Sequence, residues 1–288
     1  MNKFAKFGPG GNSSLFAEKG HKSSLDAPAW VKEMGLDAYE YECGKGVNAS
    51  LETFAQIGIR AAQLGVYTSL HAPYFISLSS VEETKRLNSV RYIMQSLEAA
   101  KALGAGVIVV HAGSASKIDR STALSYARDT VEKALQASAD AGFDDIKIGL
   151  ETMGKVNQLG TLDEIIELCT MDKRLVPVID FGHLYARDHG GDMDTSDKVK
   201  QAFDKVSSEL GGDVAENMHC HFSCIEYSNG GEVKHLTFEN TAFGPDPSMF
   251  AQTLAEIGVT PTVICESAGT QDIDAFFMKQ VYLKGLDK

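Results

Sequence analysis

The stretch VPVIDFGH, residues 176 to 183, decides the fold. Val176, Val178 and Ile179 are strand residues of a buried kind, yet the run stops abruptly in Asp180, and His183 follows just beyond. A core strand that ends in ordinary fashion gives way to Gly, Asn or Ser, which serve a turn and cost little to solvate. An acid and an imidazole in that place are also oxygen and nitrogen metal donors, so the stretch reads as half of a site. A strand too apolar to have a wet face belongs to a sheet covered on both sides, as a parallel sheet is.

Seven further runs share this character. With VPVID (176–180), the candidate strands are KFGPG (6–10), AYEYE (38–42), VYTSLHA (66–72), GVIVVHA (106–112), IKIGLE (146–151), NMHCHFS (217–223) and TVICE (262–266). Between them lie amphipathic segments such as VEETKRLNSVRYIMQSLEAAKALG and STALSYARDTVEKALQASADAG, each stopping at a glycine or a glycine-containing turn. Strand and helix alternating eight times predict an α/β fold, a single (β/α)8 TIM barrel running over residues 1–288 as one domain. An open, doubly wound sheet is the alternative. No linker, low-complexity tract or repeat beyond the βα unit interrupts the pattern.

Composition sets the outer bounds. A chain of 288 residues, 43% hydrophobic and 23% charged, can bury a sizeable core, and its length suits two ordinary domains or one barrel. No apolar run approaches about 18 residues, and MNKFAKFGPGGNSS lacks the apolar middle of a secretion signal, so a cytoplasmic protein with no membrane partner is expected. Five cysteines, odd in number and mostly inside apolar runs, speak against a disulfide framework. The net charge of −12 argues against broad attraction to nucleic acid, which leaves a basic footprint, but it permits a local basic rim or a metal-neutralised cleft.

On the barrel frame, His71 closes the third strand, His111 the fourth, Glu151 the fifth and Asp180 the sixth, with His183 beyond it; His219 and His221 lie on the seventh, and Glu266 closes the eighth. The C-terminal strand ends of a parallel barrel converge on one face, where barrel active sites are built. Taken singly, a strand-end histidine is a hydrogen-bonded turn residue and a loop carboxylate a solvated one. Crowded together, they would repel or desolvate one another unless a cation neutralised them. Mixed His and carboxylate donors favour Zn2+, with Mn2+ or Fe2+ as weaker candidates. Cys220 and Cys224 lack CxxC pairing and are set aside as ligands.

The ordered series SLHAPY (69–74), VVHAGS (109–114), GLET (149–152), VIDFGH (178–183), MHCHFS (218–223), GEVKH (231–235), FGPD (243–246) and ICES (264–267) resembles endonuclease IV. These are the zinc-dependent apurinic/apyrimidinic endonucleases, within the wider xylose-isomerase-like barrels. The resemblance implies two or three zinc ions: His71 and His111 hold one, Glu151 bridges to a second held by Asp180, His221 and Glu266, and His183 with His235 holds a third. The family's Asp-x-His is replaced here by Glu232, Val233, Lys234 and His235, so Glu232 is the substitute donor. On the seventh strand His221 is preferred and His219 stays as neighbour or alternative, since residues two apart face the same side. The implied activity is hydrolysis of the DNA phosphodiester 5′ to an abasic site by a monomer, with Glu151 as the catalytic carboxylate. Tyr74 helps hold DNA open around the extruded nucleotide. Lys45, Lys117, Arg120, Lys155, Arg187 and Lys234 are candidate rim cations. The competing readings are a metal-dependent sugar isomerase or epimerase of the same superfamily and a damage-binding module without catalysis.

Overall fold

Each apolar run forms a strand within a residue or two of its expected bounds in the computed structural model, which describes residues 4–287. Met1–Lys3, the opening of MNKFAKFGPGGNSS, and Lys288 lie outside the described residues. The strands are β1 (Lys6–Pro9), β2 (Ala38–Glu42), β3 (Tyr67–His71), β4 (Val107–His111), β5 (Lys147–Glu151), β6 (Leu175–Asp180), β7 (His219–Phe222), β8 (Cys224–Ser228), β9 (Gly231–Leu236) and β10 (Thr262–Cys265). Eight of them form one parallel sheet in the order β1-β10-β7-β6-β5-β4-β3-β2. A parallel bridge between Gly10 and Glu40 brings its two edges together, so the sheet is a nearly closed (β/α)8 barrel. A Cβ on Gly8 would stand 1.7 Å from the Ala38 carbonyl oxygen, so only glycine lets β1 come this close to β2.

The helices are α1 (Ser14–Glu18), α2 (Ala27–Glu33), α3 (Leu51–Leu64), α4 (Glu83–Leu103), α5 (Arg120–Asp140), α6 (Leu162–Cys169), α7 (Phe181–Arg187), α8 (Ser196–Leu210), α9 (Gly212–Glu216), α10 (Pro247–Ile257) and α11 (Gln271–Leu286). Their ends follow local chemistry. Ser50 and Thr161 accept hydrogen bonds from the first turns of α3 and α6, and Gly65 and Gly104 close α3 and α4 in the left-handed conformation. The core fills the space between strands and helices, with Phe7, Ile179, Phe222 and Val263 on one side of the barrel and Leu70, Ile108, Ile148 and Leu150 on the other. Burying each such side chain contributes about 1.5–3 kcal/mol. No helix among the described residues is long and apolar enough to cross a membrane.

At VPVIDFGH the strand runs straight into a helix. Asp180 is both the last residue of β6 and the N-cap of α7, its Oδ1 accepting from the His183 amide at 2.7 Å. The acid that looked misplaced at a strand end thus starts the next helix and keeps its second oxygen for the barrel mouth. The antiparallel hairpin of β8 and β9 was not read as strands from sequence. It follows β7 directly and docks by its backbone on the loop after β5, Glu232 donating to the Gly154 carbonyl at 3.0 Å and Val156 to that of Gly230 at 3.1 Å. Both contacts need glycine, because a Cβ on Gly231 would lie 2.2 Å from the Gly154 oxygen and one on Gly154 2.6 Å from the Glu232 Cβ.

Candidate metal centre

Glu151 is the hub of the mouth. It is fully buried at the end of β5. Its Oε2 lies 3.3 Å from His71 Nε2 and 3.0 Å from His111 Nε2, and its Oε1 lies 3.2 Å from His221 Nδ1 and 3.3 Å from His183 Nδ1. Around this hub stand three donor groups, His71, His111 and Glu151; Glu151, Asp180, His221 and Glu266; and His183, Glu232 and His235; the atoms of His71, His221 and Glu266, and below them those of Glu40, His219 and His221, come equally close. Within each group the donor atoms lie within 4.8 Å of one another. The third group stands on the hairpin and α7, with His183 Nε2 3.5 Å from Glu232 Oε2 and His235 Nε2 4.0 Å from Glu232 Oε1. His71, Tyr74, His111, Glu151, His183 and Glu266 line a cavity of about 280 Å3 here. A larger cavity of about 760 Å3 lies apart from this chemistry, walled by Phe238, Phe243 and Phe277.

So many titratable groups in one place strain each other. Burial would push the Glu151 carboxyl up, but hydrogen bonds from His111, His183, His221 and His71 outweigh it and hold the group well below the usual carboxylate range. Glu266 goes the other way, to about 8, because burial is reinforced by the carboxylates of Glu151, Asp180 and Glu42 and only His221 opposes it. Burial lowers His71, yet Glu42, Glu151 and Glu40 raise it on balance to about 10. Burial keeps His111 and His235 low, where they are neutral donors. Asp180 Oδ2 is buried with no hydrogen-bond partner among the described residues, although His183 Nδ1 approaches to 3.3 Å. An orphaned buried carboxylate oxygen costs free energy unless a cation or donor meets it. The donor set, nitrogen and carboxylate oxygen without thiolate, suits divalent ions of the zinc class. All five cysteines are free and buried.

One level below, sequence reasoning missed a partner. Glu40, buried on β2, stands between the two seventh-strand imidazoles: His219 Nε2 is 2.9 Å from its Oε2 and His221 Nε2 2.9 Å from its Oε1, while Ser69 Oγ donates to Oε2 at 2.7 Å. His219 faces Glu40 and not the three groups at the mouth. The signal was present in AYEYE, where a charged residue sits between two tyrosines of a buried strand.

The rim is open. Tyr74 is 58% exposed and packs edge-on against Phe75. Lys45, Lys117, Lys155 and Lys234 are exposed, Lys234 beside Glu226 at 3.1 Å. Arg120 and Arg187 are engaged otherwise. Arg120 forks onto Glu164 at 2.8 and 2.7 Å and donates to the Val156 and Gln158 carbonyls. Arg187 donates to the carbonyls of Met153, Lys155, Val156 and Gln158. Both pin the loop after β5 over the mouth instead of offering charge to a ligand.

Comparisons with known proteins place this geometry in context. The family described as xylose isomerase-like TIM barrel matches residues 28–281. An uncharacterized protein, MJ0133, of Methanocaldococcus jannaschii is 31% identical over 252 residues, 88% of this chain and 89% of that one. A probable endonuclease 4 of Malacoplasma penetrans is 29% identical over 141 residues, covering 47% of each chain. Among solved structures, a D-tagatose 3-epimerase-like protein superposes with a TM-score of 0.71 at 24% identity over 98% of this chain and 97% of the other. Endonuclease IV from Thermus thermophilus gives 0.70 at 18% identity over 98% and 99%. At these identities the two structures speak for the fold alone.

Proposed function

The chain belongs to the xylose isomerase-like TIM barrel family, and within it we propose that it is a divalent-metal-dependent, zinc-class endonuclease that hydrolyses the DNA phosphodiester 5′ to an abasic site. The observation that carries this reading is the third donor group, His183, Glu232 and His235, standing beside the two that share Glu151. A phosphodiester presents charged oxygens and a leaving alkoxide at once. Closely spaced cations supply Lewis-acid activation of water and charge stabilisation at both.

The chain's own residues do the rest. Glu151, ionised and buried, ties the first two groups together and fixes their spacing. Asp180 is held rigid because its other oxygen caps α7. His71 and His183 direct ring nitrogens inward, their Nδ1 atoms resting on the carbonyls of Ala72 at 2.8 Å and Thr152 at 2.9 Å. Tyr74, with exposed Phe75 beside it, offers an aromatic wedge against a base stack, and extrusion costs least where the base is already missing. Lys155 is the cation among the cavity-lining side chains and suits a backbone phosphate. With this, the surplus negative charge of the chain need not repel DNA at the mouth.

The sugar epimerase reading rests on fold likeness. Proton abstraction next to a carbonyl favours a site closed to water, whereas this mouth is open at Tyr74 and Lys155. Side-by-side assays separate the two: metal-replete protein on a duplex with one abasic site, and on a panel of ketoses. Incision of the abasic strand with no isomer formed is expected; turnover of a ketose with intact DNA would overturn the proposal.

A further inference from the structure

We infer that Glu40 is a positioning residue that fixes His221 as a ligand through Nδ1, with His219 and Ser69 holding Glu40 in place. The inference rests on the metal-centre reading and deepens it. His221 differs from the other imidazoles in two ways. It faces the mouth with Nδ1, 3.2 Å from Glu151 Oε1 and 3.3 Å from Glu266 Oε1, whereas His71, His183 and His235 present Nε2. Its rear nitrogen also meets a carboxylate that lies outside the three groups, whereas the Nδ1 atoms of His71 and His235 meet the Ala72 carbonyl and the Ser223 hydroxyl, and that of His183, on the Thr152 carbonyl, has at 3.3 Å only carboxylates of the groups themselves, Glu151 and Asp180.

The contact is close, 2.9 Å between His221 Nε2 and Glu40 Oε1, and neither buried atom has an aligned hydrogen-bond partner among the described residues. With Nε2 carrying the proton toward Glu40, the Nδ1 lone pair is free to face an ion. A carboxylate behind a ligating imidazole fixes its tautomer and raises its basicity, and removing such a partner commonly weakens metal binding by about 10–100-fold. Glu40 needs support of its own, because a buried carboxylate with one donor is costly. Ser69 Oγ at 2.7 Å and His219 Nε2 at 2.9 Å provide it on the far oxygen. The two histidines of MHCHFS therefore take different work: His221 holds an ion, and His219 holds the residue that aims His221.

The test uses the full chain loaded with zinc and titrated with a chromophoric chelator. In Glu40→Gln, one ion of the set should be lost at about 10–100-fold lower chelator competition while the others stay. His219→Gln, which keeps a donor toward Glu40, should retain that ion better than His219→Leu. Unchanged release in Glu40→Gln would overturn the inference while leaving the metal centre standing, whereas an unmodified chain that takes up no zinc would defeat the centre itself. If Glu40→Gln does not fold, nitrogen-15 histidine spectra of the unmodified zinc protein decide. A proton on His221 Nε2 with the ion on Nδ1 is expected; the reverse arrangement, or an ion shared by Glu40, His219 and His221 Nε2, would overturn it.

Discussion

The interior of the barrel has two polar levels, and they are built from different donor sets. At the upper level the carboxylates of Glu151, Asp180 and Glu266 crowd among imidazoles, and Asp180 Oδ2 is left without a partner among the described residues. At the lower level Glu40 Oε2 draws on Ser69 and His219, while Glu40 Oε1, His221 Nε2 and His219 Nδ1 are left without an aligned partner among the described residues. Both levels draw on β3 and β7, and β7 contributes one histidine to each. The difference teaches that unmatched buried atoms alone do not mark a cation site, since both levels hold them; the upper level is set apart by the carboxylates of Glu151, Asp180, Glu232 and Glu266 gathered among its imidazoles.

Removing the hub should break the comparison most severely. Glu151→Gln leaves two donor groups without their shared charge, and incision of an abasic duplex should fall roughly a thousandfold or more, about 4 kcal/mol of transition-state stabilisation. Far-ultraviolet circular dichroism should be unchanged. Incision at the parent rate would show that the upper level does not act through Glu151. The seventh strand sharpens the contrast by size of effect. His221→Ala should cost about a hundredfold in incision together with an ion, and His219→Ala within about tenfold; the reverse ranking would exchange the two levels.

Acidity tests the same contrast through stability. In metal-free protein His71 is raised from 6.5 to about 10, so its contribution is complete below 6.5 and lost as pH rises through about 10. Glu266 is raised from 4.5 to about 8, so its ionisation destabilises the fold increasingly between those values. Glu151, held low, loses its contribution only in acid. Melting temperature with a chelator present should therefore fall from mildly acidic to alkaline pH, and saturating zinc should remove most of that fall; a flat profile in both states would contradict the crowding of the upper level.

The smallest effects lie on the rim. Arg187→Ala gives up four carbonyl contacts to the loop after β5 and should lower stability by about 1–3 kcal/mol, read by urea unfolding. Lys155→Ala should leave stability alone and lower the salt dependence of DNA binding by about one unit of slope. The opposite assignment of these two effects would mean that Arg187, not Lys155, meets the phosphate.

Much of this architecture was legible because the strands are apolar on both faces and their helices stop at glycine, so the eight barrel strands and the gathering of strand-end acids and histidines followed from the alternation. The hairpin was not legible: GEVKH is short and mostly polar, only Val233 and Lys234 of it being exposed, and nothing in its composition separates a strand from a loop. Arg120 and Arg187 looked like rim charges because their carbonyl partners lie about 30 to 40 residues away and leave no local pattern. Glu40 was passed over as a polar strand residue because the pairing that explains it reaches 179 residues along the chain.

Anomalous diffraction at the zinc edge from crystals of the metal-replete protein bears most directly on the division between the levels. Three peaks are expected, one in each of the groups at the mouth and none beside His219. A single peak at the mouth, or any peak between Glu40 and His219, would contradict it.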